Sequence, residues 1–298
     1  MSSKLQWGII GTGNIAKAFA LGLKGSTTGE LLAIASRSQE KADQFGEEFG
    51  APRRFGSYEA MLADPEVQAV YISTPHPMHA QWAIKTAEAG KHILCEKPLT
   101  LDYPEAMAVV DAARKAGVFL MEAFMYRCNP QTAKLVELIR EDVIGEVRLI
   151  EASFSFDAGY NLGGRLLNQA LGGGGILDVG CYCTSMARLI AGAALGRDWA
   201  DPIEVKAIGH LGEESHVDEW TTALLRFEKD ILAYVQTGVR LGHENQVRIF
   251  GSQGRITVPS PWFCNGREPG TVKLAVQRYG EPETVVEIEV AQDRKSVV

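Results

Sequence analysis

The feature that most constrains the fold is a glycine-rich turn close to the N-terminus. The turn Gly11–Ala16 reads GTGNIA, and it lies between an apolar run, Leu5–Ile10, and a helical pattern over Asn14–Lys24. In such a strand–turn–helix unit the first glycine permits a tight turn and the second lets a pyrophosphate approach the backbone. The small residue at the end lets the helix pack on the strand, and free N–H groups at the helix start favour phosphate.

The turn therefore predicts a dinucleotide-binding Rossmann domain. The residues expected around the pyrophosphate are Gly11, Thr12, Gly13, Asn14 and Ile15. A tight turn without a ligand is the plainer alternative, because GxGxxA by itself is weakly specific. The apolar strand before the turn and the helix after it favour the cofactor site.

Short apolar runs alternate with amphipathic helical segments over residues 1–123. The predicted strands are Leu5–Ile10, Leu31–Ala35, Ala69–Ser73, His92–Cys95 and Val118–Met121. The predicted helices are Asn14–Lys24, Gln39–Phe49, Pro77–Ala89 and Tyr103–Ala116. This alternation is typical of a parallel α/β sheet, so we assign residues 1–123 to the Rossmann domain.

The pattern changes near Gly145, where runs with a period of two begin. A helix is still expected over Gln131–Arg140 and another over Gly180–Ala191. The predicted strands are Val147–Phe156, Ile203–His210, Trp220–Phe227, Ile231–Val239 and Gln246–Phe250. Period two indicates an antiparallel sheet with one covered face. Residues 124–298 therefore form an α+β domain with an open, mostly antiparallel sheet, which we expect to bind the substrate.

Composition narrows the classes of function. The 298 residues carry a formal net charge of −7, and an acidic surface repels phosphate backbones, so nucleic acid is not expected as a partner. The longest apolar stretch is broken by Asp178 and Arg188, which argues against a membrane span. Met1–Leu5 lacks a secretory-signal pattern, and the five cysteines show neither a disulfide framework nor zinc spacing. We therefore expect a cytoplasmic protein with reduced thiols.

The end of the second predicted strand bears on the choice of cofactor. NAD-specific sites usually place Asp or Glu there to bind the ribose 2′-hydroxyl. This chain has Ser36 and Arg37 instead. A guanidinium can pair with a 2′-phosphate and a hydroxyl can donate to it, so NADP is favoured and NAD remains the alternative. An exposed arginine with no ligand is the other interpretation.

A second candidate follows the strand His92–Cys95, where the sequence reads Glu96-Lys97-Pro98. In doubly wound folds the carboxyl ends of the strands face the ligand crevice. The Lys97 ammonium can donate a proton there, or its neutral form can accept one. Glu96 can pair with this lysine or bind the cofactor ribose. A lysine before proline is otherwise most often a solvated loop residue.

Four segments together resemble the Gfo/Idh/MocA oxidoreductase family. They are Gly8–Ala16, Ser73–Leu99, Glu122–Gln131 and Leu171–Gly192, and they extend along most of the chain. Within the family they are similar to the branch of NADP-dependent D-xylose dehydrogenases and dihydrodiol dehydrogenases. The resemblance implies an NAD(P)-dependent oxidoreductase that acts on CH–OH groups.

The resemblance also implies roles for single residues. Lys97 matches the catalytic lysine, and Asp178 with Tyr182 matches a D-x-G-x-[H/Y] element near the nicotinamide. Many members have histidine where this chain has Tyr182. Residues four apart share one helix face, and a nearby lysine would help a tyrosine to accept a proton. Without the resemblance, Asp178 would be a helix cap and Tyr182 a packing residue.

Further roles implied by the resemblance concern cofactor and substrate. The segment with Thr74, Pro75 and His79 is expected to line the cofactor site, and Arg127 to lie at its nicotinamide end. His76 and His79 form HxxH, but no carboxylate or further histidine stands at ligand spacing, so no metal is expected. The weaker candidates for substrate contact, chosen for hydroxyl-binding and ring-stacking side chains, are Phe156, Tyr160, Asn161 and Arg165.

The expected reaction is hydride transfer between a sugar or polyol, preferably at an aldose C1, and NADP. The alternatives are a ketosugar or dicarbonyl reductase that uses NADPH, and a non-catalytic regulator that senses the cofactor on the same fold. The resemblance implies a homodimer through the exposed sheet face. It also implies a C-terminal helix beyond the last strand, whereas this chain ends with Ala291–Val298. We expect that difference to affect stability or assembly.

Overall fold

The computed structural model describes residues 4–263 and 270–290. They divide into two compact units, and the division falls between Met125 and Tyr126. Cys264 lies outside the described residues. So does the segment 291–298, on which the expectation about the C-terminus depends. No helix in the described ranges is both long enough and apolar enough to cross a membrane.

The first unit contains one parallel sheet in the strand order β3-β2-β1-β4-β5-β6. The strands are β1 (Leu5–Ile10), β2 (Gly29–Ala35), β3 (Arg53–Phe55), β4 (Ala69–Ile72), β5 (His92–Cys95) and β6 (Leu120–Glu122). Its helices are α1 (Asn14–Leu23), α2 (Gln39–Phe49), α3 (Tyr58–Leu62), α4 (His79–Glu88) and α5 (Tyr103–Ala116). The predicted Rossmann architecture is confirmed.

The helices cover both faces of this sheet, because every central strand is apolar on both sides. Ile9 of β1 packs with Phe19 of α1, while the adjacent Ile10 packs with Met61 of α3 and Trp82 of α4. Local signals explain the boundaries of the helices. The Ser38 side chain caps α2, and α2 ends at a glycine in the left-handed conformation.

The second unit contains an eight-stranded sheet in the order β14-β13-β12-β11-β7-β10-β9-β8. The strands are β7 (Val147–Ser155), β8 (Glu204–Leu211), β9 (Asp218–Arg226), β10 (Leu232–Gly238), β11 (Val247–Gly251), β12 (Gly254–Val258), β13 (Gly270–Arg278) and β14 (Thr284–Val290). All neighbouring strands are antiparallel except β7 and β10, which are parallel. The predicted α+β domain with a mostly antiparallel sheet is confirmed.

In the described part of this unit the α-helices are α6 (Pro130–Arg140) and α7 (Cys181–Ala194). The prediction began the second helix at Gly180, but a π-helical turn over Ile176–Gly180 already precedes α7. Helix α7 packs on β7 and β10 and covers one face of the sheet.

Several short or late elements were missed from the sequence. Strand β3 and helix α3 are too short for a hydrophobic period to develop. Strands β13 and β14 could have been found, because TVVEIEV over Thr284–Val290 alternates with period two.

Candidate active site

The glycine-rich turn leaves an opening at the start of α1. Gly13 occupies the N-cap position without a side-chain cap, and the first turn of α1 contains no acidic residue. A Cβ built on Gly13 has no atom of the described chain within 4 Å. Packing within the chain therefore does not require glycine at this position, whereas a ligand that approaches the backbone does.

Gly11 is a glycine for a different reason. Its φ is +102°, a conformation that residues with a side chain rarely adopt. A Cβ there would also lie 2.9 Å from Ser73 Oγ and 3.1 Å from the Ser73 carbonyl oxygen. This glycine is needed for the fold of the turn itself.

A buried hydroxyl in the segment after β4 also lacks a partner. Thr74 is 7% exposed, and within the described chain its Oγ1 forms no hydrogen bond. The neighbouring Pro75 is exposed. Strands β1 and β4 are parallel neighbours, so this segment and the glycine turn lie on the same edge of the sheet. Uncapped N–H groups, open space at Gly13 and an unpartnered hydroxyl together fit a dinucleotide.

The end of β2 contains the residues expected to select the cofactor. Ser36 is buried and its Oγ accepts from Ser38 N at 3.4 Å, whereas Arg37 is exposed. Burial raises the pKa of the Tyr58 hydroxyl, and a hydrogen bond with the Arg37 guanidinium opposes this rise. The guanidinium of Arg37 therefore lies beside the start of α3. Arg37 itself follows β2, the strand next to β1.

Two hydrogen bonds fix the turn that contains Lys97. The peptide bond between Lys97 and Pro98 is cis. The Tyr71 hydroxyl donates to the Glu96 carboxylate, so this carboxylate is already engaged by the strand β4. Leu99 N donates to the Glu122 carboxylate at 2.8 Å, which links the turn to β6. Lys97 itself is half-buried at the carboxyl end of β5.

His79 does not have the exposure that a cofactor contact requires. The side chain is completely buried, and both of its ring nitrogens face backbone carbonyl oxygens of the first unit. Direct contact between His79 and a cofactor, as expected from the sequence, is therefore not supported. In the described ranges, moreover, no group of three or more His, Cys, Asp or Glu residues is placed to hold a metal ion.

The second unit brings Asp178 and Arg165 together. Asp178 lies in the π-helical turn with 3% of its surface exposed, and Arg165 Nη1 donates to its Oδ1 at 2.8 Å. Arg165 is half-exposed, so it offsets the buried charge and still reaches solvent. The arginine that was a candidate for substrate contact is thus also the partner of the expected catalytic carboxylate.

Tyr182 lies one helical turn after Asp178 and is only 4% exposed. Its ring contacts the rings of Phe154, Tyr126 and Trp262 at centroid distances of 5.2, 5.9 and 5.8 Å. Burial raises the pKa of Tyr126 to about 12, so its phenol remains a donor, and it donates to Ser185 Oγ at 2.7 Å. The aromatic neighbours fix the ring of Tyr182 at the start of α7.

The glycines that precede Asp178 are tightly packed, a feature that the sequence did not predict. A Cβ on Gly174 would lie 2.2 Å from Asp218 Oδ1, and one on Gly173 would lie 2.6 Å from the Leu166 carbonyl oxygen. Asp218 Oδ2 accepts from Ile176 N at 2.7 Å, which caps the helical segment that contains Asp178. Asp218 starts β9, far along the chain, so only the fold reveals this contact.

The remaining candidates are less constrained. Phe156 is half-buried against Leu167, and Tyr160 is exposed under the Arg240 guanidinium at 5.5 Å. Asn161 is exposed and accepts from Gly163 N at 3.1 Å, as in an Asx turn. Arg127 is exposed in a 3-10 helical turn and interacts with the Tyr126 hydroxyl. None of these contacts by itself indicates a substrate.

The fold and the glycine turn define an NAD(P)-dependent oxidoreductase with a Rossmann domain. Residues 5–124 match the model of the oxidoreductase family with an NAD-binding Rossmann fold, and residues 132–257 match the GFO/IDH/MocA C-terminal domain. The chain belongs to the GFO/IDH/MocA oxidoreductase family, and the resemblance inferred from its motifs is confirmed.

Two curated relatives illustrate the similarity. A trans-1,2-dihydrobenzene-1,2-diol dehydrogenase of Xenopus laevis is 33% identical over 285 residues, which cover 93% of this chain and 83% of the relative. A D-xylose 1-dehydrogenase (NADP(+)) of Haloferax volcanii is 35% identical over 252 residues, which cover 85% of this chain and 75% of the relative.

Two solved structures are similar over 98% of this chain and 86% of their own. An aldose-aldose oxidoreductase from Caulobacter crescentus, complexed with glycerol, has a TM-score of 0.87 at 26% identity. A 3-ketoreductase from Actinomadura kijaniata, in complex with NADP and TDP-benzene, has a TM-score of 0.84 at 30% identity.

Substitution of the two glycines by alanine should separate binding from folding. Gly13→Ala should raise the dissociation constant for NADPH at least about tenfold, because the methyl group occupies the path of the pyrophosphate. Its free energy of unfolding should change by no more than about 1 kcal/mol, since the Cβ meets open space. NADPH fluorescence titration and urea denaturation measure the two effects.

Gly11→Ala is the matched control. It should lose about 1–3 kcal/mol of stability, because a positive φ and the Ser73 contact strain the turn. Equal stability losses in both variants, with unchanged NADPH binding by Gly13→Ala, would contradict the assignment of Gly13 to the cofactor.

Proposed function

We propose that this protein transfers hydride between NADP and a hydroxyl-bearing carbon of a sugar or polyol, with an aldose C1 as the favoured position. The observation that carries the proposal is the half-buried Lys97 on the sheet edge where the glycine turn is open to a dinucleotide. The similarity to a D-xylose dehydrogenase and an aldose-aldose oxidoreductase supports the substrate class.

When bound, NADP⁺ supplies the hydride acceptor for the substrate carbon. Oxidation of the hydroxyl also releases one proton, and we propose that Tyr182 or Lys97 accepts it. The carboxylate of Asp178 orients the reacting groups, and its pairing with Arg165 at 2.8 Å holds it in one position. An aldose oxidised at C1 would leave as the lactone.

The proposed cofactor contacts are the glycine turn with Thr12, Asn14 and Ile15, and the segment with Thr74 and Pro75. Ser36 and Arg37 would bind the 2′-phosphate. Glu96 is held by Tyr71 and would contribute by fixing the turn. Contacts of Arg127 with the nicotinamide end, and of Phe156, Tyr160 and Asn161 with the substrate, remain proposals from the family resemblance.

The second candidate function is the reverse reaction, in which NADPH reduces a carbonyl group. The same groups would reduce a ketosugar or a dicarbonyl with NADPH, by donation of the proton that they accept during oxidation. The similarity to a 3-ketoreductase in complex with NADP supports this second candidate. A non-catalytic regulator would bind the cofactor and turn over nothing.

A substrate panel tests the proposed reaction. We expect a change in the absorbance of the reduced nicotinamide with at least one aldose or diol and NADP⁺, or with a ketosugar and NADPH. Lys97→Ala should lower kcat at least about 100-fold and leave a measurable residual rate. It should still bind NADPH, because most of the proposed cofactor contacts come from the glycine turn, Ser36 and Arg37. NADPH binding without turnover of any substrate in either direction would reject the enzyme in favour of the regulator.

Cofactor choice is tested by Arg37→Ala. Loss of charge-assisted hydrogen bonds to the 2′-phosphate costs about 1.5–3 kcal/mol, so NADPH affinity should fall roughly 10- to 100-fold. NADH affinity should change little. Arg114→Ala is the charge-matched control, because Arg114 is exposed at the end of α5. An equal loss for both cofactors would overturn the assignment of Arg37.

The assembly is also a proposal: two copies join through the uncovered face of the eight-stranded sheet. It is supported by apolar side chains that the strand register places on that face. Leu224 is 56% exposed, Ile208 is 80% exposed and Leu232 is 47% exposed. Several exposed apolar side chains on one sheet face are typical of a protein interface.

Light scattering during gel filtration tests this assembly. The unmodified protein should have the mass of a dimer, and Leu224→Glu should shift it to the monomer, because a buried unpaired charge opposes association. Tyr103→Glu is the control, since Tyr103 is also an exposed apolar residue, at 75%, but lies in α5 of the first unit. A monomeric unmodified protein would reject the proposed dimer.

A further inference from the structure

His79 joins two separate segments of the first unit. It is the first residue of α4, and no part of its side chain is exposed. Its Nε2 lies 2.9 Å from the carbonyl oxygen of Thr74, in the segment that follows β4. Its Nδ1 lies 2.8 Å from the carbonyl oxygen of Pro98, in the turn that follows β5.

Both ring nitrogens of His79 face a carbonyl oxygen, which is an unusual arrangement for a histidine. Both carbonyl oxygens are acceptors, so each requires an N–H donor. The two nitrogens of a histidine ring lie on opposite sides of it. A neutral ring has one N–H, and only the protonated ring donates to both. Burial lowers the pKa of His79, and the two carbonyls and the nearby Glu96 carboxylate only partly oppose this shift. Lys97 opposes protonation, and the ring of His76 lies 5.6 Å away.

Two other contacts of the turn reach different elements. Tyr71 holds Glu96 from within β4, and Glu122 holds Leu99 from the end of β6. His79 instead connects the turn of Lys97 with the backbone of Thr74, whose hydroxyl is buried and without a partner in the described chain. The ring therefore sets the separation between the proposed proton carrier and the proposed cofactor segment.

We infer that His79 is a positioning residue, which acts through Lys97 by fixing the turn that contains it against the cofactor-binding segment. This inference rests on the proposed function, because it takes Lys97 as the proton carrier. It differs from a direct cofactor contact, since the imidazole has no exposed surface. Misplacement of a catalytic group by about 1 Å can cost roughly 100-fold in rate.

The test is a double-mutant cycle of His79→Gln and Lys97→Ala. The glutamine amide has a single nitrogen on a flexible side chain, so it cannot place a nitrogen against each carbonyl as the rigid ring does. We expect His79→Gln to lower kcat about 10- to 100-fold, with a much smaller change in KM. In the Lys97→Ala background the same substitution should have no further effect on residual kcat, because residues that act as one unit are not additive.

Thr86→Ala is the control for a merely structural effect. Thr86 is buried on the same helix, and its Oγ1 donates to the Trp82 carbonyl oxygen at 2.6 Å. It should lower the melting temperature, as should His79→Gln, and leave kcat within about twofold. Additive losses in the cycle, or an equal loss of kcat in Thr86→Ala, would overturn the inference.

Hydrogen–deuterium exchange gives a readout that does not depend on activity. In the full-length protein with NADPH, His79→Gln should speed exchange at residues 74–78 and 97–100, and Thr86→Ala should not. Unchanged exchange in His79→Gln would overturn the inference even if the enzyme is active. Faster exchange in a protein that turns over no substrate would reject the proposed reaction and leave the connection between the two segments in place.

Discussion

Parallel pairing of the strands in the first unit is the constraint on which the proposed site depends. In a parallel sheet all carboxyl ends emerge at one edge, so the segments after β1, β2, β4 and β5 become neighbours although they are distant in sequence. The glycine turn, Arg37, Thr74 and Lys97 each follow one of these strands. No single segment forms the site, and each contributes one chemical group from a rigid strand end.

The sequence predicted the features that are encoded locally. The turn after β1 and the Glu96-Lys97-Pro98 segment could be placed because an apolar run, a turn and a helix follow each other directly. The contacts of Asp218 with the segment before Asp178, and of His79 with Pro98, could not be predicted. They join residues from different elements of the fold, and nothing in their immediate sequence indicates a partner.

The two candidate regions differ in how their polar groups are satisfied. In the second unit, the buried Asp178 is paired with Arg165, and the half-buried Asp218 accepts from Ile176 N. In the first unit the N–H groups at the start of α1 have no side-chain cap, and the Thr74 hydroxyl has no partner within the described chain. An unpaired buried hydroxyl costs stability, so the place of Thr74 on the same edge of the sheet as the uncapped helix start fits completion by a polar ligand.

The parallel pair β7 and β10 has a consequence for the synthesis of the protein. Leu149 of β7 pairs with Leu232 of β10 and with Phe250 of β11, and both partners come much later in the chain. Pairing over such sequence distances is slow, because a long loop must close before any contact forms. Translation proceeds from the N-terminus, so the first unit can fold while the apolar residues of β7 still await their neighbours. Apolar strands of the second unit are therefore expected to stay unpaired for longer during synthesis than those of the first unit.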